Sequence, residues 1–140
     1  MPVDDHPLKI RVADAPLDRS RDSSTGWHNM DLQWLVTKET VGAVHGVFGR
    51  TVFPPGSRHE IHRHPNAEEV EYLVQGTGVA RVGDEDVLLS AGELVFVPVN
   101  DWHGFYNTSE TEDAVMIWTY AGAASIEDAG YIRLDDGSGT

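Results

Sequence analysis

His62 and His64 stand two residues apart in the stretch Ile61-His62-Arg63-His64. If that stretch is a β-strand, alternate side chains share a face, and both imidazoles can close on one ion. After a turn marked by Pro65 and Asn66, the next extended stretch offers Glu69. His103 follows Pro98-Val99-Asn100-Asp101-Trp102 and can reach the same point from a further strand. Three neutral imidazoles and one carboxylate suit Fe(II), Mn(II), Ni(II), Co(II), Cu(II) or Zn(II). They suit Ca²⁺ and Mg²⁺ poorly, because those ions prefer all-oxygen shells. Four protein donors on a six-coordinate ion leave about two positions for water, substrate or O₂. The chemistry implied is that of one divalent transition metal.

Several neighbours are weaker candidates. Glu71 shares the strand face of Glu69, so it either lines the pocket as a buried base or stands in water at its mouth. Glu68 points to the opposite face from Glu69. His59 reads as a solvated strand position. Arg50, Arg58, Arg63 and Arg81 are possible clamps for a substrate carboxylate, each weighed against a solvated position. Phe48, Tyr72, Phe96, Trp102, Phe105, Met116, Trp118 and Tyr120 supply apolar bulk for an interior and for a surface shared with a second copy.

These residues need short strands to position them. Extended segments are predicted at 33–36, 44–53, 59–64, 69–74, 78–82, 86–89, 94–97, 104–107 and 115–120. Turn residues separate them: Pro54-Pro55-Gly56, Gln75-Gly76, Gly83-Asp84, Ser90-Ala91-Gly92 and Pro98-Val99-Asn100. Many short strands with little helical pattern imply an all-β sandwich or closed barrel. Residues 79–89 form the clearest hairpin. One short helix is expected near 124–129, with Ser125 as its N-cap. At the N-terminus, Leu8-Lys9-Ile10-Arg11-Val12 alternates like a half-buried strand, inside an arm covering residues 1–26. The barrel is assigned to 27–124, and 125–140 to a C-terminal segment whose last residues read as disordered.

A chain of 140 residues fits one core. It has no cysteine, which excludes disulfides and thiolate ligands. No apolar run approaches the ~18 residues of a membrane span, and no secretory signal is seen, so a cytoplasmic location is expected. The 23 acidic and 10 basic residues leave a formal charge of −13. Such a surface repels phosphate backbones and anionic headgroups, which argues against nucleic acid and membrane as partners.

The spacing also resembles a known family. Gly56, five residues, His62-x-His64, four residues, Glu69, six residues and Gly76 reproduce the first cupin motif. Gly92, five residues, Pro98-x-Asn100, two residues, His103, three residues and Asn107 reproduce the second, with Asn100 where glycine is usual. Asparagine tolerates a left-handed backbone, so the turn is expected to survive. The resemblance covers roughly residues 35–122. It implies a jelly-roll barrel, the double-stranded β-helix, that binds a metal through His62, His64, Glu69 and His103 and pairs as a homodimer. Cupins of this kind resemble dioxygenases, decarboxylases, isomerases, lyases and polyketide cyclases acting on small molecules. An ion with open positions among aromatic walls suits O₂ chemistry, so a dioxygenase is the first expectation. Lewis-acid isomerase, lyase or cyclase chemistry comes second, and a binding module without turnover third.

Overall fold

The alternation of buried and open positions along the chain closes into two antiparallel sheets facing one another. The computed structural model describes residues 1–134, so the expected disordered tail lies outside the described residues. In chain order the elements are β1 (Trp27–His28), β2 (Asp31–Val36), α1 (Lys38–Val41), β3 (Gly46–Phe53), β4 (Arg58–Arg63), β5 (Glu68–Gln75) and β6 (Thr77–Val82). They continue with β7 (Glu85–Ser90), β8 (Leu94–Val97), β9 (His103–Tyr106), β10 (Ala114–Ala121), α2 (Ile126–Ala129) and β11 (Ile132–Arg133). One sheet runs β1-β4-β9-β6-β7, with β11 also paired to β4; the other runs β2-β3-β10-β5-β8. From β3 to β10 the chain crosses repeatedly between the two sheets. That is the jelly-roll barrel expected.

The inward faces supply the core. Leu32, Phe53, Leu73, Ala80, Leu89, Phe105, Met116, Trp118 and Tyr120 are buried together. Phe53 and Phe105 meet across the sheets, their ring centroids 4.8 Å apart. Burial of such side chains stabilises a fold by about 1.5–3 kcal/mol each. Gly49 lies in register between Trp34 and Trp118. A Cβ there would stand 2.1 Å from Trp118 Cζ2, so only glycine lets that indole lie flat across β3. The indole then donates to Thr51 Oγ1 at 2.8 Å. Of the apolar residues singled out above, Phe105, Met116, Trp118 and Tyr120 face inward, whereas Phe48, Tyr72 and Phe96 are exposed on the five-stranded sheet.

The turns obey local chemistry. Gly56, Gly76 and Gly92 have positive φ, and Asn100 adopts φ 64° where a glycine was expected. Gly83-Asp84 closes the β6–β7 hairpin, with Val82 opposite Glu85. Ser125 caps α2 by accepting from the Asp128 N–H. The expected strand at 8–12 does not form. Lys9 and Arg11 close back onto Asp4 and Asp5, Leu8 is exposed, and a 3-10 turn covers Val12–Asp14. A five-residue alternation without a sheet edge beside it gains too little to hold an extended backbone. Instead the arm is strapped over β2, where the Gln33 amide donates to the Val12 and Ala15 carbonyls at 2.9 and 3.0 Å. Among the described residues, no helix is long and apolar enough to cross a membrane.

Candidate metal centre

The site forms because β4 and β9 are neighbours in one sheet while β5 lies in the other. His62 and His103 are register partners across β4–β9. His64 lies just past the end of β4. Glu69 projects from β5, which the β10 ladder sets beside Tyr120. The three imidazoles are buried and offer donor nitrogens within 4.8 Å of one another. Glu69 Oε1 stands 3.3 Å from His64 Nε2 and 3.2 Å from His103 Nε2. Neighbouring ligands around an ion with bonds of about 2.1 Å are separated by similar distances.

Each ring has its far nitrogen engaged by a backbone carbonyl. His62 Nδ1 donates to the Glu60 carbonyl at 2.6 Å, His64 Nδ1 to Gly130 at 2.6 Å and His103 Nδ1 to Asp101 at 3.0 Å. A carbonyl only accepts, so the hydrogen of a neutral ring resides on Nδ1 and the Nε2 lone pair faces inward. His64 Nε2, His103 Nε2, Glu69 Oε1 and Glu71 Oε1 are buried without a hydrogen-bond partner. Buried polar atoms left unpaired cost about 1–3 kcal/mol each. Three of these atoms, His64 Nε2, His103 Nε2 and Glu69 Oε1, lie together beside the His62 ring, and borderline imidazole nitrogen with hard carboxylate oxygen fits a first-row transition metal.

Electrostatics agree with the geometry. Burial, followed by the charge its histidine neighbours would carry, pushes His62 well below the ordinary imidazole range and keeps it neutral. Burial would raise Glu69, but His103 and His64 outweigh it and hold the carboxyl ionised. Burial would lower His103, yet the Glu69 carboxylate raises it above the usual imidazole value. An arriving ion has to displace that proton. Metal uptake should therefore release protons, and apparent affinity should fall up to about tenfold per pH unit once the medium is more acidic than the His103 value. A cobalt(II) titration followed by visible absorption reads this directly.

Glu71 is buried and faces the same cavity as His62 and Glu69. Burial and then the charge of Glu69 raise its carboxyl well above the usual range. Asn107 is structural: its amide donates to the Phe53 and Glu112 carbonyls at 2.8 and 2.7 Å. The four arginines lie outside the cavity. Arg50 donates to Gln33 at 3.3 Å, Arg58 lies 3.7 Å from Glu60, Arg63 bonds Asn100 at 2.5 Å, and Arg81 bonds Asp86 at 2.8 Å.

His59 departs from the solvated position expected of it. A register shift between His59 and His62 turns both rings inward, and His59 lies between Trp27 and His62 with centroids 3.9 Å from each. Its Nε2 meets the Tyr131 hydroxyl at 3.1 Å, and that hydroxyl donates to the Thr25 carbonyl at 2.8 Å. Trp27, Tyr131 and Gly130 were not legible as site residues. Gly130 has φ 82°, and a Cβ there would meet Pro65 Cδ at 2.8 Å. A glycine in this position can lie against Pro65 and aim its carbonyl at His64. The only local signal was a glycine and an aromatic residue directly after the predicted helix.

Comparison with known proteins agrees with this architecture. Residues 49–120 match the family model described as a cupin domain. The chain is 32% identical over 105 residues to the polyketide synthase CurC of Streptomyces cyaneus, covering 75% of this chain and 68% of that protein. It is 27% identical over 105 residues to an oxalate-binding protein of Thermotoga maritima, covering 75% and 87%. Among solved structures, a predicted oxalate decarboxylase from Thermotoga maritima superposes with a TM-score of 0.71 at 25% identity, covering 81% of this chain and 97% of that one. With its motifs, its barrel and its family match in agreement, this chain belongs to the cupin family.

Proposed function

We propose that the protein holds one divalent transition-metal ion on His62, His64, Glu69 and His103 and acts on a small, uncharged polyketide-type molecule bearing a carbonyl or enol. The observation that carries this reading is the meeting of three buried imidazoles whose donor nitrogens lie within 4.8 Å of one another, with Glu69 Oε1 3.3 and 3.2 Å from two of them. An ion bound there would supply Lewis acidity at the substrate oxygen.

The remaining work falls to side chains of this chain. The backbone carbonyls of Glu60, Asp101 and Gly130 hold the three rings in one orientation. Glu71, kept protonated by burial and by Glu69, is a proton donor at rest and a base once that proton has left. Trp27, Phe53, Met116, Trp118 and Tyr120 wall the cavity and exclude water.

Charge narrows the substrate. None of the cavity-lining residues is arginine or lysine, whereas the ionised Glu69 faces it. A dicarboxylate such as oxalate would find no protein cation there. The name of the Streptomyces relative points to polyketide chemistry, and an uncharged ring or chain with enolisable carbonyls suits these walls.

The test is turnover by protein reloaded with each candidate metal, under argon and under air. Aromatic and polyketone substrates should be converted under argon as well as in air. Conversion of oxalate, or conversion dependent on O₂, would reverse this conclusion, and the latter would favour the dioxygenase.

A further inference from the structure

The cavity bounded by His62, Glu69 and Glu71 measures about 20 Å³. That is room for about one water molecule, and no carbonyl compound of useful size fits it as it stands. Something in the wall must move.

Outside the cavity, under the N-terminal arm, lies an open hollow of about 330 Å³. Two residues line both spaces, Trp27 and Met30. Trp27 is clamped. Its ring centroid lies 3.9 Å from that of His59 and 5.3 Å from that of Tyr131, and the Arg21 guanidinium stands 5.4 Å from its centre. Met30 is not clamped in this way. It falls between β1 and β2, outside either ladder, half-buried at the edge of the core. It follows Asn29, whose φ of 58° places a left-handed kink directly before it. An unbranched thioether changes rotamer at little cost.

A second hollow, of about 460 Å³, lies against the six-stranded sheet and shares only His59 with the cavity. His59 is held between Trp27 and His62. Displacing it would break the stack beside the metal centre, whereas displacing Met30 breaks none.

We infer that Met30 is the gate of this cupin, and that ligands enter from the hollow beneath the N-terminal arm with a preference for uncharged molecules. The inference rests on the metal-centre reading above. When the Met30 side chain swings outward, the cavity joins the hollow. A ligand then places its reacting end beside Glu71 and leaves its remainder against Trp27. The way in is lined by Asp18, Asp22 and Asp31 against Arg19 and Arg21. Arg21 is already paired with Asp18 at 3.2 Å. With the Glu69 carboxylate beyond, an anion meets a net negative path from the surface inward.

Because the chain has no cysteine, Thr51→Cys places a single thiol in the cavity wall, and its alkylation reports access without needing a metal. Iodoacetamide is neutral and iodoacetate is its anionic counterpart. With rates normalised to a free thiol, Met30→Ala should speed iodoacetamide about tenfold and Met30→Trp should slow it about tenfold, as for a gate that limits entry. Iodoacetate should be slower throughout. Tyr106→Ala, in the second hollow, should change nothing. If the rate ignores residue 30, if Tyr106→Ala accelerates it, or if the anion enters as fast as the amide, the inference is wrong. A parallel cobalt(II) uptake by the parent chain separates the two readings. Without uptake the metal reading fails while the thiol result still judges the gate. If Thr51→Cys does not fold, Met116→Cys carries the thiol on the same wall.

Discussion

Changing His64 or His103 to alanine should lower bound metal from about one ion per chain to less than about a tenth of that, with the barrel still folded. Each removes one of four donors, and removing even the outer partner of a metal-bound histidine costs about 10–100-fold in affinity. Loss of the ligand itself should cost more. Folding should persist because the apolar core from Leu32 to Tyr120 does not depend on these rings. Glu69→Gln should weaken binding less, since a neutral oxygen remains in place. Elemental analysis after gentle purification reads the metal, and far-ultraviolet circular dichroism reads the fold. If His59→Ala empties the site while His62→Ala does not, the ligands have been assigned one bulge out of register.

Glu71→Gln separates chemistry from metal binding. Glutamine has nearly the same shape and, like the protonated Glu71, no charge, so the metal should stay. What it cannot do is give up and regain a proton, so turnover of the substrate should fall about 10²–10⁴-fold. A stability readout accompanies this. In the unfolded chain Glu71 ionises near the ordinary carboxylate value, whereas folding holds it protonated far above that value. The native state therefore binds more protons than the unfolded state between those two values, and stability falls as pH rises across that window. Glutamine removes this dependence. The variant should melt at a higher temperature than the parent at pH 7 to 8, and the difference should vanish near pH 4. A variant with full turnover would remove Glu71 from the mechanism. A variant less stable at neutral pH would mean that its carboxyl is ionised in the fold.

Much of the frame was readable because its rules are local. The His62-x-His64 pair, the glycines at the turns and the 79–89 hairpin all follow from a period of two and from φ preferences within a few residues. Asn100 shows this most plainly, since a residue chosen for its tolerance of a left-handed turn adopts one. Reading failed where the deciding partner was not local. The arm at 8–12 alternates like a strand, but a strand also needs an edge, and no five-residue pattern states whether one is there. His59 has the look of a solvated position because a β-bulge, which reverses the facing of side chains, leaves no mark in alternation.

The amino-acid order by itself pointed to four candidate donors and to an all-β sandwich or barrel, because strand period and turn residues are encoded within short stretches, and the resemblance of its motif spacing to the cupins narrowed that barrel to a jelly roll. Tertiary structure alone decided what surrounds them. The carbonyl that orients His64 comes from Gly130, 66 positions away, and the hydroxyl beside His59 is anchored to Thr25 across 106 positions. Such contacts arise only when distant segments are buried against one another, and their energy depends on distance in space rather than along the chain.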